Sequence, residues 1–263
     1  MDSFCDSIEQ ISYLARAESR VRVLHRLSAA EPVDRRELCT SLSLSRSAVV
    51  RAVDSLEERG WVAVDSDGVR LTPVGSLIIE EFLALAESVG AVTELDPFLQ
   101  WFPLSEHDLA VDDLRGATVT VAADGDPLAP ARIQTELLRS TDRFRGLFPS
   151  IDLDGTKLVH ERTTAGEFES EIVVSPTVEA LFGDEPFATL VEEMCATGRH
   201  TVHVAEAVPF YLGLADDGRT QIGVEDDEGF PRALLETTDG QVRAWAESLF
   251  ADYRRSSEPL PRL

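Results

Sequence analysis

Arg46, Ser47, Val50 and Arg51 fall at steps that set four side chains on one face of a helix, with Ser45 ahead of them in the N-cap position. Two guanidiniums on such a face can donate bidentate hydrogen bonds to phosphate oxygens or to a guanine edge. Arg70 stands beside a tight turn further on, placed to meet a sugar-phosphate backbone or a minor groove. A second group, Arg132, His203, Glu206 and Tyr211, sits where strand ends and crossovers are read, and forms a candidate effector site. Each of these four is also a type that serves in ordinary packing or at a plain surface.

Other chemistry lacks its residues. There is no GxGxxG, P-loop or GxSxG, so phosphate cradling and serine hydrolysis have no glycines to work with. His160-Glu161 is not followed by the second histidine of a metalloprotease helix. His200 and His203 on one strand point to opposite faces, so no shared metal is expected, and no cofactor is expected either. Asp216-Asp217 and the acids from Glu225 to Glu228 read as solvated turn acids rather than cation sites.

The elements that position the arginines lie between Val33 and Gly75. Asp34 to Leu42 carries a short helical pattern, and SLSLSRS breaks it with residues that compete for backbone hydrogen bonds. From Ser45, the spacing of Ala48, Val49, Ala52, Val53 and Leu56 predicts a second helix, stopped by Arg59-Gly60. WVAV, DSDG and VRLT then predict a hairpin whose tip is Asp65 to Gly68. In this order the pieces make a winged helix-turn-helix, although either piece alone is common in proteins with no such role.

Ile8 to Ala29 reads as one preceding helix, with Ile8, Ile11, Leu14, Ala15, Val21, Leu24 and Leu27 buried. Its Arg16, Arg20 and Arg22 suit either phosphate contacts or pairs with neighbouring acids. A further helix from about Ser76 to Val92 has Ile78, Phe82, Leu85, Val89 and Val92 at alternating steps of four and three. That stripe predicts a homodimer through 76–92, unless it packs against its own chain. PFLQWFP, residues 97–103, reads as a hinge between domains.

Beyond Leu114, strands and helices alternate, and an antiparallel meander follows, closed by a helix from Asp239 to Arg255 that buries Trp245, Leu249, Phe250 and Tyr253. The expected fold class is α+β: a winged helix-turn-helix over 1–75, a linker and dimerisation helix over 76–113, and an α/β effector-sensing domain over 114–263.

Charge supports one surface in particular. The chain of 263 residues carries 48 acids against 24 bases, and Lys157 is its one lysine. Residues 1–75 nonetheless balance ten arginines against twelve acids, a net of −2 within a chain of net −24. A strongly acidic chain that keeps this segment near neutral spares a surface for a polyanion, unless helix-rich segments simply favour arginine. The acidic, lysine-poor composition looks like that of proteins from salt-loving archaea. Cys5, Cys39 and Cys195 form no CxxC pair and read as reduced thiols, with redox sensing by one of them left open. No apolar run approaches membrane-spanning length, and a cytoplasmic protein is expected.

RAESRVRVLHRLS, SLSLSRSAVVRAVDSLEERGWVAV, DPLAPAR, AVPFYLGLADDG and the ending from DDEGFPRALLETT onward together resemble the archaeal winged-helix regulators called methanogenesis regulatory protein-like. The resemblance implies a transcription regulator that binds double-stranded DNA and a C-terminal domain that senses a small-molecule effector. That domain also looks like a phospholipase-D-type fold, as in TrmB-type regulators. Such catalysis needs a His-x-Lys pair. Here Lys157 and His160 are reversed and too far apart, so no enzyme activity is expected. A winged-helix adaptor that binds protein, or an enzyme domain with a DNA-binding head, stay as alternatives.

Overall fold

The computed structural model describes residues 2–30 and 32–260, and these form two compact units, Met1–Gly90 and Ala91–Leu263. The architecture is α+β.

The first unit begins with α1 (Asp2–Ala15) and α2 (Glu18–Ala29) rather than the single helix expected over 8–29. Ala17 is extended at φ −139° and ψ 94°, and Arg20 reaches back to donate to the Tyr13 carbonyl at 2.7 Å while its guanidinium lies 3.8 Å from the Tyr13 ring centre. A side chain thus satisfies a carbonyl that the broken helix leaves open. No glycine or proline marks the break. Ile8 and Ile11, expected in the core, are exposed, as is Phe4.

α3 (Arg35–Ser41) is capped by Asp34, whose side chain accepts from the Arg36 N–H at 2.7 Å. The chain turns through Ser43 at φ 51°, and α4 (Arg46–Glu57) opens with the Ser45 hydroxyl accepting from the Ala48 N–H at 3.2 Å. Val49, Ala52, Val53 and Leu56 of α4 are buried with Leu24, Leu27, Leu38 and Trp61. Gly60, at φ 70°, takes the left-handed step out of α4. The wing follows as β1 (Val62–Asp65) and β2 (Gly68–Leu71), paired antiparallel with Asp65 opposite Gly68. Val33 bridges the other edge of β2, exchanging both backbone hydrogen bonds with Val69.

Thr72 then starts α5 (Pro73–Leu99), longer at both ends than the helix expected over 76–92. The Thr72 hydroxyl donates to the Gly60 carbonyl at 2.7 Å and accepts from the Gly75 N–H at 3.0 Å, while Pro73 occupies the first helical position, where a missing N–H costs nothing.

The second unit is built on an eight-stranded mixed sheet. Its strands are β3 (Thr118–Val121), β4 (Arg143–Phe148), β5 (Glu169–Val174), β6 (His200–Val204), β7 (Tyr211–Ala215), β8 (Thr220–Glu225), β9 (Pro231–Thr237) and β10 (Glu258–Pro259), in the spatial order β10-β6-β5-β4-β7-β8-β9-β3. β4, β5 and β6 run parallel and the remaining pairs are antiparallel. Strand alternation splits the core in two. Phe144, Phe148, Val174, Tyr211 and Leu234 pack on one face with α6 (Ala129–Ser140), α7 (Leu153–Thr164), α8 (Pro176–Leu181) and α9 (Phe187–Ala196). Leu147, Val173, Leu212, Leu214 and Leu235 pack on the other with α10 (Gly240–Ser256).

On that second face the expected hinge proves to be core. Phe98 and Phe102 are buried and stack at 5.0 Å, and Phe102 meets His107 at 4.7 Å and Phe210 at 5.1 Å. Two of its residues, Phe98 and Phe102, fill the core of the second unit, while Trp101 stays 42% exposed.

Candidate nucleic-acid interface

α4 presents Arg46, Ser47 and Arg51 outward, all exposed, while Val50 is half-buried at the margin of the stripe. Arg51 donates from Nε to the Ser47 carbonyl at 3.2 Å, a bond within its own helix that leaves the two terminal guanidinium nitrogens to other partners. The Ser45 oxygen caps α4 and lies 3.2 Å from the Ser47 hydroxyl, so Ser45 positions the helix first and faces solvent second.

Several acids of this module are matched by its other arginines. Arg26 meets Glu37 at 2.7 Å, Arg35 meets Asp54 at 3.0 Å and Arg22 meets Glu18 at 3.4 Å. Arg59 donates to Gln10 at 2.7 Å and lies 3.7 Å from the Tyr13 ring centre. Of the three arginines left open in the reading of the first helix, Arg20 and Arg22 are therefore engaged within the protein. In the first unit, Arg16, Arg36, Arg46 and Arg51 are exposed arginines with no carboxylate partner among the described residues. Arg36, at the start of α3, was missed by the sequence reading because nothing in its own segment distinguishes it from Arg35.

The wing is a different surface. Arg70 donates from Nε to Asp65 at 3.0 Å, and the Asp65 carboxyl is held below the usual carboxylate range by the Asp67 N–H and by Arg70. Asp67 is exposed at the tip. The arginine expected to reach nucleic acid from the wing is thus already paired across it.

The four effector candidates are not brought together. Arg132 forms a two-pronged pair with Asp126 at 2.9 and 2.5 Å, and Glu206 is exposed on the loop after β6. His203 is buried 3.4 Å from Glu171, on the opposite side of β6 from His200. Tyr211 is buried, its hydroxyl 3.2 Å from Gln221, and burial pushes its phenol well up. Only Arg132 lines the large cavity of the second unit, a space of about 870 Å³ between the sheet and the helices from α6 to α9. Glu225 also lines it. It is not a solvated turn acid: its carboxylate accepts a hydrogen bond from Ser150, and burial pushes its pKa up.

Lys157 is exposed on α7, and His160 of the same helix is taken by Glu193 at 2.6 Å. No group of three or more metal-ligating side chains occurs among the described residues. Cys5 and Cys195 reach the surface and Cys39 is half-buried; partial burial pushes the Cys195 thiol up, away from thiolate chemistry.

Two family models match the sequence: HVO_A0261 N-terminal domain over residues 8–94, and Methanogenesis regulatory protein FilR1, middle domain, over residues 127–256. No curated protein matches it. Among solved structures, the chain is similar to TrmBL2, described as an archaeal chromatin protein with a novel mode of DNA binding, at 15% identity over 91% of this chain and 93% of that one, with a TM-score of 0.44. It is also similar to Nuc of Salmonella typhimurium, a phospholipase D family member, at 10% identity over 54% of this chain and 97% of that one, TM-score 0.43. A MarR/EmrR family transcriptional regulator from Acinetobacter sp. ADP1 matches at 22% identity over 36% of this chain and 71% of that one, TM-score 0.25.

Proposed function

We propose that the chain, which matches the HVO_A0261 N-terminal domain and the middle domain of the methanogenesis regulatory protein FilR1, is a sequence-specific, dimeric DNA-binding transcription regulator with a non-catalytic sensing unit. One observation carries the reading. Arg46 and Arg51 are exposed and unmatched by carboxylates on the outward face of the second helix of a helix-turn-helix. That face enters the major groove in this motif, with residues near the helix N-terminus closest to base edges. Arg46 and Ser47 lie in that first turn and Arg51 one turn later. Arg70 contributes to the wing only after exchanging Asp65 for phosphate.

Dimerisation is proposed through α5. Leu85 is 45% exposed, Val89 57% and Val92 44%, and with Val74 and Leu77 they lie on one arc of the helix. Ile78 and Phe82, the start of the repeat over 78–92, pack against the core of the first unit, and its exposed remainder, Leu85, Val89 and Val92, is the seam that a second copy of the same helix covers. Phe4, Ile8 and Ile11 give α1 a shorter exposed stripe of the same kind.

No helix among the described residues is long and apolar enough to cross a membrane, and the protein is proposed to act in the cytoplasm. The acidic wing tip is the one feature that favours a protein partner over phosphate. Selection of bound duplexes from a random pool by the full chain decides between the two: an enriched, two-fold-symmetric motif is expected, and a pool that stays random while protein partners survive nuclease treatment overturns the regulator reading.

A further inference from the structure

The cavity of the second unit has a chemistry that names its occupant. Its volume of about 870 Å³ lies within the range of small-ligand sites, roughly 300–1,000 Å³. Phe144, Phe148, Phe168, Phe182, Val191 and Met194 supply its apolar walls. A molecule that fills it must therefore carry an apolar, preferably flat, body.

Among its polar groups, three are carboxylates, Glu225, Asp152 and Asp154, against the single cation Arg132. Glu225 lines the cavity with Ser150 as its hydrogen-bond donor, and no cation pairs with it among the described residues. His200 lines the cavity too, its Nδ1 held 2.7 Å from the Ser170 hydroxyl; burial brings it down to about 4, so near neutral pH it offers a hydrogen bond and no charge. The one cation of the lining and the α7 N-terminus are engaged within the protein. Arg132 is neutralised by Asp126, and the N-terminus of α7 is closed by Asp152, whose side chain accepts from the Gly155 N–H at 2.8 Å. Asp152 and Asp154 themselves add negative charge to the lining.

We propose that this cavity binds a small, predominantly apolar molecule that presents an ammonium or another hydrogen-bond donor, and no anionic group, to Glu225 and Ser150. The proposal rests on the reading of the second unit as a sensor and gives that sensor its ligand class. An ammonium end supplies the cation that the half-buried Glu225 lacks, and a hydroxyl end supplies a donor; a carboxylate end meets like charge from Glu225, Asp152 and Asp154, and gains Arg132 only by displacing Asp126.

Three probes with one aromatic body separate these cases: 2-naphthylmethylamine, 2-naphthalenemethanol and 2-naphthoate, titrated calorimetrically into the full chain at pH 7. The amine and the alcohol are expected to saturate, with the carboxylate at least about tenfold weaker. Glu225→Gln brings the amine to the affinity of the alcohol. Val191→Trp, which fills the cavity, abolishes binding of all three, and Thr135→Phe at a half-buried lining position does the same if the first variant fails to fold. Carboxylate binding as tight as the amine, no saturable binding by any probe, or binding indifferent to both filling variants overturns the proposal. Duplex binding measured on the same samples keeps the readings apart, since lost probe binding with intact duplex binding removes only this inference.

Discussion

Gly75 and Gly90 lie on the same helix, α5, and replacing each by alanine should move stability in opposite directions. A Cβ at Gly75 would stand 1.9 Å from the Trp61 carbonyl oxygen and 2.7 Å from its carbon, with no flexible side chain to yield. Relief requires the wing and the start of α5 to separate by more than an ångström. That breaks the Thr72 arrangement: its donation to Gly60 at 2.7 Å, its contact with Trp61 at 3.2 Å and its acceptance from Gly75 at 3.0 Å. At about 1 kcal/mol for each hydrogen bond, Gly75→Ala should cost on the order of 3 kcal/mol. For a unit of this size that lowers the melting transition by roughly 10–20 °C. Gly90 has nothing within 4 Å of an added Cβ. There alanine removes the glycine penalty within a helix and should stabilise by about 0.5–1 kcal/mol. Thermal unfolding of the two variants, followed by tryptophan fluorescence and by circular dichroism, reads both. Equal shifts, or a Gly75→Ala chain that melts with the parent, would refute the packing of α5 on the wing described above.

Two further outcomes follow from the same structure. Val89→Asp puts a carboxylate on the exposed stripe of α5, where a two-fold partner would bring its own copy; the dimer constant should weaken by at least about 100-fold in sedimentation equilibrium, and an unchanged mass would remove α5 as the interface. His200 is held neutral, with its pKa lowered from 6.5 to about 4 by burial. Its contribution is therefore complete above pH 6.5 and is lost as the pH falls towards 4, by about 3 kcal/mol. Denaturant titrations at pH 7 and pH 4.5 should show a smaller drop for His200→Gln than for the parent, and parallel drops would mean that His200 is not desolvated.

Much of the helix-turn-helix was legible because its signals are local. Ser45 caps the helix it precedes, Gly60 stops it, and Asp65 to Gly68 closes a two-residue hairpin loop; each acts on backbone within a few residues of itself. The antiparallel meander of the second unit was legible for the same reason, since turns with Gly218 and Gly229 at positive φ separate β7, β8 and β9.

What failed depended on partners distant in sequence. The break between α1 and α2 is stabilised by Arg20 on the Tyr13 carbonyl, and an arginine in a helical pattern gives no sign of it. Pro97 to Pro103 has the composition of a hinge, yet Phe98 and Phe102 find aromatic partners that only the fold supplies. Glu225 sits beside the acidic turn Asp226 to Glu228 and was read with it, while its hydrogen bond comes from Ser150, which lies 75 residues away. The candidate effector residues His203 and Tyr211 went into the core because their strands are covered on both faces.

The unmatched guanidiniums of α4 bear the whole account, and the most direct test is the affinity of the Arg46→Ala, Arg51→Ala double variant for a duplex selected by the parent chain. With roughly 1–3 kcal/mol for each good contact, the loss should be on the order of 2–6 kcal/mol, accompanied by a shallower dependence on salt. Affinity and salt slope equal to those of the parent, in a variant that still folds, would contradict it.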